Sequence, residues 1–225
     1  VAKNEITLKS RNGPQLTILD GANRGRLINL VNGHFDANAV TIDGFTIQNG
    51  FYESGPAISI REGLGHVIRN CIVQNNTAKV GGLIGAAEGA ISLGALGTSE
   101  MEVRVEDCII RNNVSFDSTA GIVNMGQEGR SHVIVDRCLI YGNRSNSYAS
   151  AVRNVELRNS LIYGNTGGSC AVMSTFASAP IINCTIVDNE SEIAAVHARD
   201  IRNTVSVGNF PANWQTIEYS PIDSS

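Results

Sequence analysis

The chain has 225 residues, with 17 Lys+Arg against 21 Asp+Glu and a net charge of −4. That is the size of one domain, and the absence of any basic run that could neutralise a row of phosphates excludes nucleic acid as a partner. Hydrophobic residues make up 42% and recur in short runs, which excludes disorder. No run approaches the ~20 residues that cross a bilayer, so no membrane insertion is expected.

In chain order the first element is a strand at Ile6-Thr7-Leu8, followed by a second apolar segment at Leu27-Ile28-Asn29-Leu30. From there a unit repeats. Asp43-Gly44-Phe45-Thr46-Ile47 is echoed at Arg69-Asn70-Cys71-Ile72-Val73, Glu106-Asp107-Cys108-Ile109-Ile110, Asp136-Arg137-Cys138-Leu139-Ile140, Arg158-Asn159-Ser160-Leu161-Ile162, Ile182-Asn183-Cys184-Thr185-Ile186 and Arg202-Asn203-Thr204-Val205-Ser206. The successive spacings are 26, 37, 30, 22, 24 and 20 residues, the mark of a solenoid whose coils tolerate insertions. Twenty-three glycines, many Asn and no sustained helical stripe make the coils all-β.

The columns of this repeat carry the physics. Ile42, Ile68, Val105, Val135, Leu157, Ile181 and Ile201 lie two residues before the bend and point inward; Asp43, Arg69, Glu106, Asp136, Arg158, Ile182 and Arg202 alternate with them and face water. Several neighbours in the charged column are of opposite sign, an arrangement that supports the stack from outside. Gly44, Asn70, Asp107, Arg137, Asn159, Asn183 and Asn203 occupy the bend itself. All but Arg137 are residue types that accept a left-handed backbone. A further strand follows in each coil, at Ala57-Ile58-Ser59-Ile60, Ala90-Ile91-Ser92-Leu93, Ile122-Val123-Asn124-Met125, Ala151-Val152-Arg153-Asn154, Ala171-Val172-Met173-Ser174 and Ala195-Val196-His197-Ala198. Three strands per coil and a unit of 20–25 residues predict a single parallel β-helix of about eight coils over residues 1–225. Both ends look cut from something longer, with Thr216-Ile217-Glu218-Tyr219-Ser220 resembling one more strand.

Four of the five cysteines, Cys71, Cys108, Cys138 and Cys184, share the column after the bend, and Cys170 precedes Ala171. No C-x-x-C spacing is present, so metal binding is not expected; the column reads as small buried packing residues.

The stretch Thr41-Ile42-Asp43-Gly44-Phe45-Thr46-Ile47, the Asn-Cys-Ile-Val-x-Asn-Asn pattern and Gly81-Gly82-Leu83-Ile84 resemble the right-handed parallel β-helix repeats of the pectin-lyase-like superfamily. More loosely they are similar to the repeats of chlamydial polymorphic membrane proteins. The resemblance covers residues 5–209 and implies an asparagine ladder at the bend between the second and third sheets, here Asn70, Asn159, Asn183 and Asn203. It also implies that a substrate would lie across the first sheet, whose outward column is expected to be Asn29, Ser59, Ser92, Asn124, Arg153, Met173 and His197. Such a row of hydrogen-bonding side chains suits sugar hydroxyls.

Glycoside hydrolysis is disfavoured, because the outward column holds no carboxylate pair and none of the polygalacturonase signatures occurs. A pectate-type lyase needs acidic residues to hold calcium and a base to take the proton α to the uronate carboxylate. No acidic cluster is found, so no metal or other cofactor is assigned, and only a calcium-independent version remains, with Arg153 as base and Arg61, Lys79 or His197 neutralising the carboxylate. A catalytic pairing of His197 with Asp200 lacks a nucleophile elbow. The reading is therefore an extracellular or cell-surface β-helix that binds a polysaccharide or surface glycan through Asn29, Ser59, Arg61, Lys79, Ser92 and Asn124, with Arg153 and His197 as the candidate catalytic pair. A polysaccharide lyase and a structural stalk are the alternatives. The loops around 79–89 and 94–101 are expected to add specificity. Asn-x-Ser/Thr triplets occur at Asn75, Asn113, Asn143, Asn183 and Asn189.

Overall fold

A computed structural model describes residues 5–30, 39–79, 89–95 and 99–209. Every strand pairing is parallel. The strands stack into sheets of seven (first sheet, Ile28–Leu30 to Ala194–Ala198), eight (second sheet, Ile6–Lys9 to Ile201–Arg202) and eight strands (third sheet, Ile18–Asp20 to Val205–Val207). Eight strands in each of two sheets are eight coils, as the repeat predicts. Four coils add a two-residue strand to a fourth sheet, running from Phe51–Tyr52 through Thr77–Ala78 and Val114–Ser115 to Arg144–Ser145. The Gly81–Ile84 stretch, most of the 79–89 loop, residues 96–98 and the Thr216–Ser220 segment lie outside the described residues.

The core is a set of aliphatic stacks. Ile42, Ile68, Val105, Val135, Leu157 and Ile181 pair in register across the second sheet. Ile47, Val73, Ile110, Ile140, Ile162 and Ile186 do so across the third, and Ile58, Ile91, Ile122, Val152 and Val172 across the first. All are fully buried, each side chain contributing on the order of 1.5–3 kcal/mol relative to exposure.

From the second coil on, the bend between second and third sheets is left-handed, with φ of 84° at Gly44, 52° at Asn70, 53° at Asp107, 51° at Arg137, 47° at Asn159, 54° at Asn183 and 45° at Asn203. Arg137, the odd residue of that column, is held there by its side chain. Its Nε and Nη2 donate to the two carboxylate oxygens of Asp107 at 2.8 Å, and it also pairs with Asp136 and, at 3.5 Å, with Glu106. The register sets Glu106 directly beside Asp136, so this one guanidinium neutralises a repulsion that the charged column creates. Asp43 is only 5% exposed, covered by hydrogen bonds from Asn70 at 2.9 Å and Arg69 at 3.2 Å.

A second left-handed column closes the third-sheet strand, at Asn49, Asn75, Asn112, Gly142, Gly164, Asp188 and Gly208. The residue after it begins the main asparagine ladder: Asn76, Asn113, Asn143, Asn165, Asn189 and Asn209, all buried. Each rung's backbone N–H and Nδ2 donate to Oδ1 of the rung one coil on, at 2.9–3.0 Å, from Asn76 to Asn113 and onward to Asn209. Nδ2 also donates to a carbonyl of the preceding coil, as from Asn143 to Ile110 at 3.0 Å. The column opens with Gly50, whose N–H donates to Asn76 Oδ1 at 2.8 Å; a Cβ there would meet the Pro56 carbonyl oxygen at 2.2 Å. The expected ladder at the bend exists only in exposed form, with Asn183 Nδ2 donating to Asn159 at 3.3 Å and Asn203 Nδ2 to Asn183 at 2.8 Å. Six residues separate bend from rung in each of the six coils that carry one, Asn70 to Asn76 through Asn203 to Asn209. The stretch from rung to first-sheet strand varies.

All five cysteines are free and buried. The four after the bend close the chain on itself, because each Sγ donates to the carbonyl two residues back and to one on the preceding coil, at 3.1 and 3.8 Å for Cys71 and 3.2 and 3.6 Å for Cys184. Ser160 and Thr204 occupy the same column and make the short-range bond with a hydroxyl. Six of the seven residues of this column are small side chains with a donor, supplied by sulfur or oxygen, and the second coil fills the position with buried Phe45 instead.

Candidate functional site

The outward row of the first sheet is Asn29, Ser59, Ser92, Val123, Arg153, Met173 and His197. Val123 stands where Asn124 was expected, a one-residue correction of register. Asn124 pairs with Leu93 on the inward side and is 1% exposed. Its Oδ1 accepts from Ser131 Oγ at 2.7 Å and Gly126 N–H at 3.0 Å, and its Nδ2 donates to the Ser131 carbonyl at 3.1 Å. Asn124 is thus bonded on every side to the protein's own groups. Neighbouring strands lie ~4.8 Å apart, so the seven-strand row runs about 29 Å from Asn29 to His197 and its two ends are separate places.

At the N-terminal end the structure gathers several of the expected residues. Arg26 donates to Asn29 Oδ1 at 2.7 Å and to the Ser54 carbonyl at 2.9 and 2.6 Å, and its guanidinium lies 4.4 Å over the Tyr52 ring. Arg61 donates to Ser54 Oγ at 2.6 Å, and Ser54 Oγ reaches Ser92 Oγ at 3.4 Å. Ser59 and Ser92 are fully buried. The Ser54–Pro56 segment covers them, since a Cβ on Gly55 would come within 3.0 Å of Ser59 Cβ. Lys79 stands apart, 3.8 Å from Glu53 and over the Phe51 ring. Arg26 and Tyr52, which sequence reasoning passed over, hold this end together.

The C-terminal end is open. Arg153 is half-buried and its guanidinium lies 4.1 Å over the Tyr148 ring, a cation–π contact. Among the described residues it has no carboxylate partner, and its buried Nε has no acceptor. Burial pushes its pKa below the usual arginine value, the Tyr148 hydroxyl opposing weakly. Met173 and then exposed His197 follow on the next two strands, placing His197 roughly 10 Å from Arg153. Asp200 is engaged by Arg202 at 2.9 and 2.5 Å. The proposed lyase set is therefore not brought together: Arg61 and Lys79 lie at the far end of the row, and His197 is two strands away.

Two other clusters were missed in the sequence. On the second sheet, Glu156, 6% exposed, is bonded by His132 at 2.9 Å and by Arg158 Nε at 2.5 Å. On the third sheet a continuous chain runs along the outward row. Gln48 donates to Asp20, Gln74 to Gln48, and Arg111 to Gln74, each at 2.8 Å; Arg111 also donates to the Tyr141 hydroxyl at 2.7 Å. Tyr141 stacks on Tyr163 with ring centroids 4.8 Å apart. Because these two are paired across adjacent coils, the rings stack along the solenoid axis and turn edges to solvent, not the faces on which a sugar would stack.

Among the described residues no group of three or more His, Cys, Asp or Glu side chains could hold a metal ion. No helix among them is long and apolar enough to cross a membrane. Residues 29–210 match the family described as right handed beta helix region, a span covering most of the chain. No curated protein and no solved structure matches it.

Proposed function

Because the chain belongs to the right-handed β-helix family, we propose that it is a rigid solenoid that binds an acidic polysaccharide or surface glycan at the C-terminal half of its first-sheet face, outside the cell or at its surface. One observation carries the reading. Arg153 is stacked on Tyr148 and partly desolvated, yet has no anionic partner among the described residues. A guanidinium in that state gains most from a carboxylate or sulfate brought by a ligand, and the exposed edge of Tyr148 gives a sugar ring an apolar neighbour. His197 and Met173 extend the contact along the row, and Asn29, Arg26 and Arg61 form a second, cationic contact at its other end.

Titration calorimetry with a panel of polyuronates and glycosaminoglycans tests this reading. Arg153→Gln should weaken binding of acidic glycans by about ten- to a hundredfold, the worth of one charge-assisted pair, while leaving neutral glycans unaffected. Equal affinities for the two proteins would remove Arg153 from the site, and no binding across the panel would favour a structural stalk.

Lyase chemistry is the second reading, supported by the desolvation that lowers the Arg153 pKa in the direction a base requires. It predicts a rise in ultraviolet absorbance from unsaturated product, lost in Arg153→Gln.

A further inference from the structure

The five Asn-x-Ser/Thr triplets fall into two structural classes. Asn113, Asn143 and Asn189 are ladder rungs, at most 1% exposed, and both hydrogens of each Nδ2 are engaged. Asn113 donates to Val73 and Asn143, Asn143 to Ile110 and Asn165, and Asn189 to Ile162, Val187 and Asn209. Their hydroxyl partners Ser115, Ser145 and Ser191 are buried as well. The coil itself generates the triplet, as rung, outward residue and inward hydroxyl. Asn75 and Asn183 are different: both are left-handed bend residues with exposed side chains. Asn183 gives one hydrogen to Asn159 at 3.3 Å and keeps the other.

We propose that an Asn-linked glycan at Asn113, Asn143 or Asn189 and the folded solenoid exclude each other, and that Asn75 and Asn183 are the positions at which the fold tolerates one. In the transfer, Nδ2 attacks the anomeric carbon of a lipid-linked oligosaccharyl diphosphate. The bond from that carbon to the diphosphate oxygen breaks, the lipid diphosphate leaves, and one amide proton passes to a base. The product keeps a single Nδ2–H. At a rung this removes a hydrogen bond and places a sugar where the protein admits no water. At Asn75 the sugar projects into solvent. Transfer to the extended chain and folding therefore compete, and the chain has to close its ladder before its rungs meet a transferase.

The test uses the full chain produced in a glycosylating secretory host, with and without inhibition of oligosaccharide transfer, followed by glycopeptide mapping of the folded and retained fractions. Folded protein should carry glycan at Asn75 and Asn183 alone, with rung occupancy confined to retained material. The triple variant Ser115→Thr, Ser145→Thr, Ser191→Thr, which raises transfer at the rungs, should lower folded yield severalfold in the active host relative to the inhibited one. Folded protein with an intact glycan at any rung, or equal folded yields of the triple variant in both conditions, would overturn the proposal.

Discussion

Asn113 and Asn143 are joined by two hydrogen bonds that end on one atom: Asn143 Oδ1 accepts the backbone N–H of Asn113 at 3.0 Å and its Nδ2 at 2.9 Å. Both lie out of contact with water. Asn143→Ala strands those two donors and removes the bond to the Ile110 carbonyl while retaining its own N–H bond to Asn165, and should cost about 3 kcal/mol or more, since each buried unsatisfied group costs about 1–3 kcal/mol. Asn183→Gly removes the side chain from the exposed ladder without straining the bend and should cost about 1 kcal/mol or less. Urea unfolding of the two variants checks the contrast.

His66 is 1% exposed, and its tautomer is fixed by its partners. The Val40 N–H donates to Nδ1 at 3.1 Å, which leaves the Nε2 hydrogen to donate to the Glu62 carbonyl at 2.9 Å. Burial lowers its pKa below 6.5, so in the window just beneath that value the unfolded chain binds a proton that the folded one refuses. Stability from this residue is complete above pH 6.5 and falls as pH drops toward the folded-state pKa. His66→Leu, which leaves the Val40 N–H unpaired, should be less stable at neutral pH yet show a flatter stability profile as pH falls below 6.5. An unchanged slope would assign the pH dependence elsewhere.

Arg137 holds the Asp107 carboxyl below the usual carboxylate range through a side-chain hydrogen bond. Arg137→Ala should return the Asp107 titration toward its ordinary value. It also leaves Glu106 and Asp136 facing each other, so the variant should lose more stability in low salt than in high. Carboxyl NMR titration and salt-dependent melting read the two effects separately.

No cysteine should react with a thiol reagent in the native protein, and all five should react once the chain is unfolded. Burial raises Cys170 and Cys184 to a pKa of about 11, and its thiol neighbours Cys138 and Cys71, together with burial, push Cys108 upward. The thiolate that such a reagent needs is thus scarce at these positions at neutral pH. Cys71 is drawn downward by hydrogen bonding to Cys108, but it is 1% exposed, so lack of access protects it.

The solenoid was legible in the sequence because inward aliphatic columns and left-handed bends recur from coil to coil at fixed offsets. Asn76 and Asn113 were hidden because each follows another Asn, so that turn-former and buried rung are chemically identical; Asn143, Asn165, Asn189 and Asn209 follow Gly or Asp and read as ordinary turn residues, and only the constant six-residue offset marks all of them as one column. Asn124 was misplaced because Ile122 and Val123 are both apolar and leave the alternation ambiguous by one residue. The burial of Ser59 and Ser92 depends on the Ser54–Pro56 segment folding over them, which strand periodicity does not encode. Arg153 was recognised as an outward cation, but its stacking on Tyr148 follows from a neighbouring loop.

The fixed interval between bend and rung divides each turn into a half that tolerates no change of length and a half that does. One residue more or fewer between a bend and its rung, as between Asn159 and Asn165, would carry the rung out of line with the coils on both sides. Extra residues between a rung and the next first-sheet strand cross no such constraint. Foreign peptides grafted there should therefore be displayed along one flank of the rod, beside the Arg153 face, with the frame beneath them unchanged.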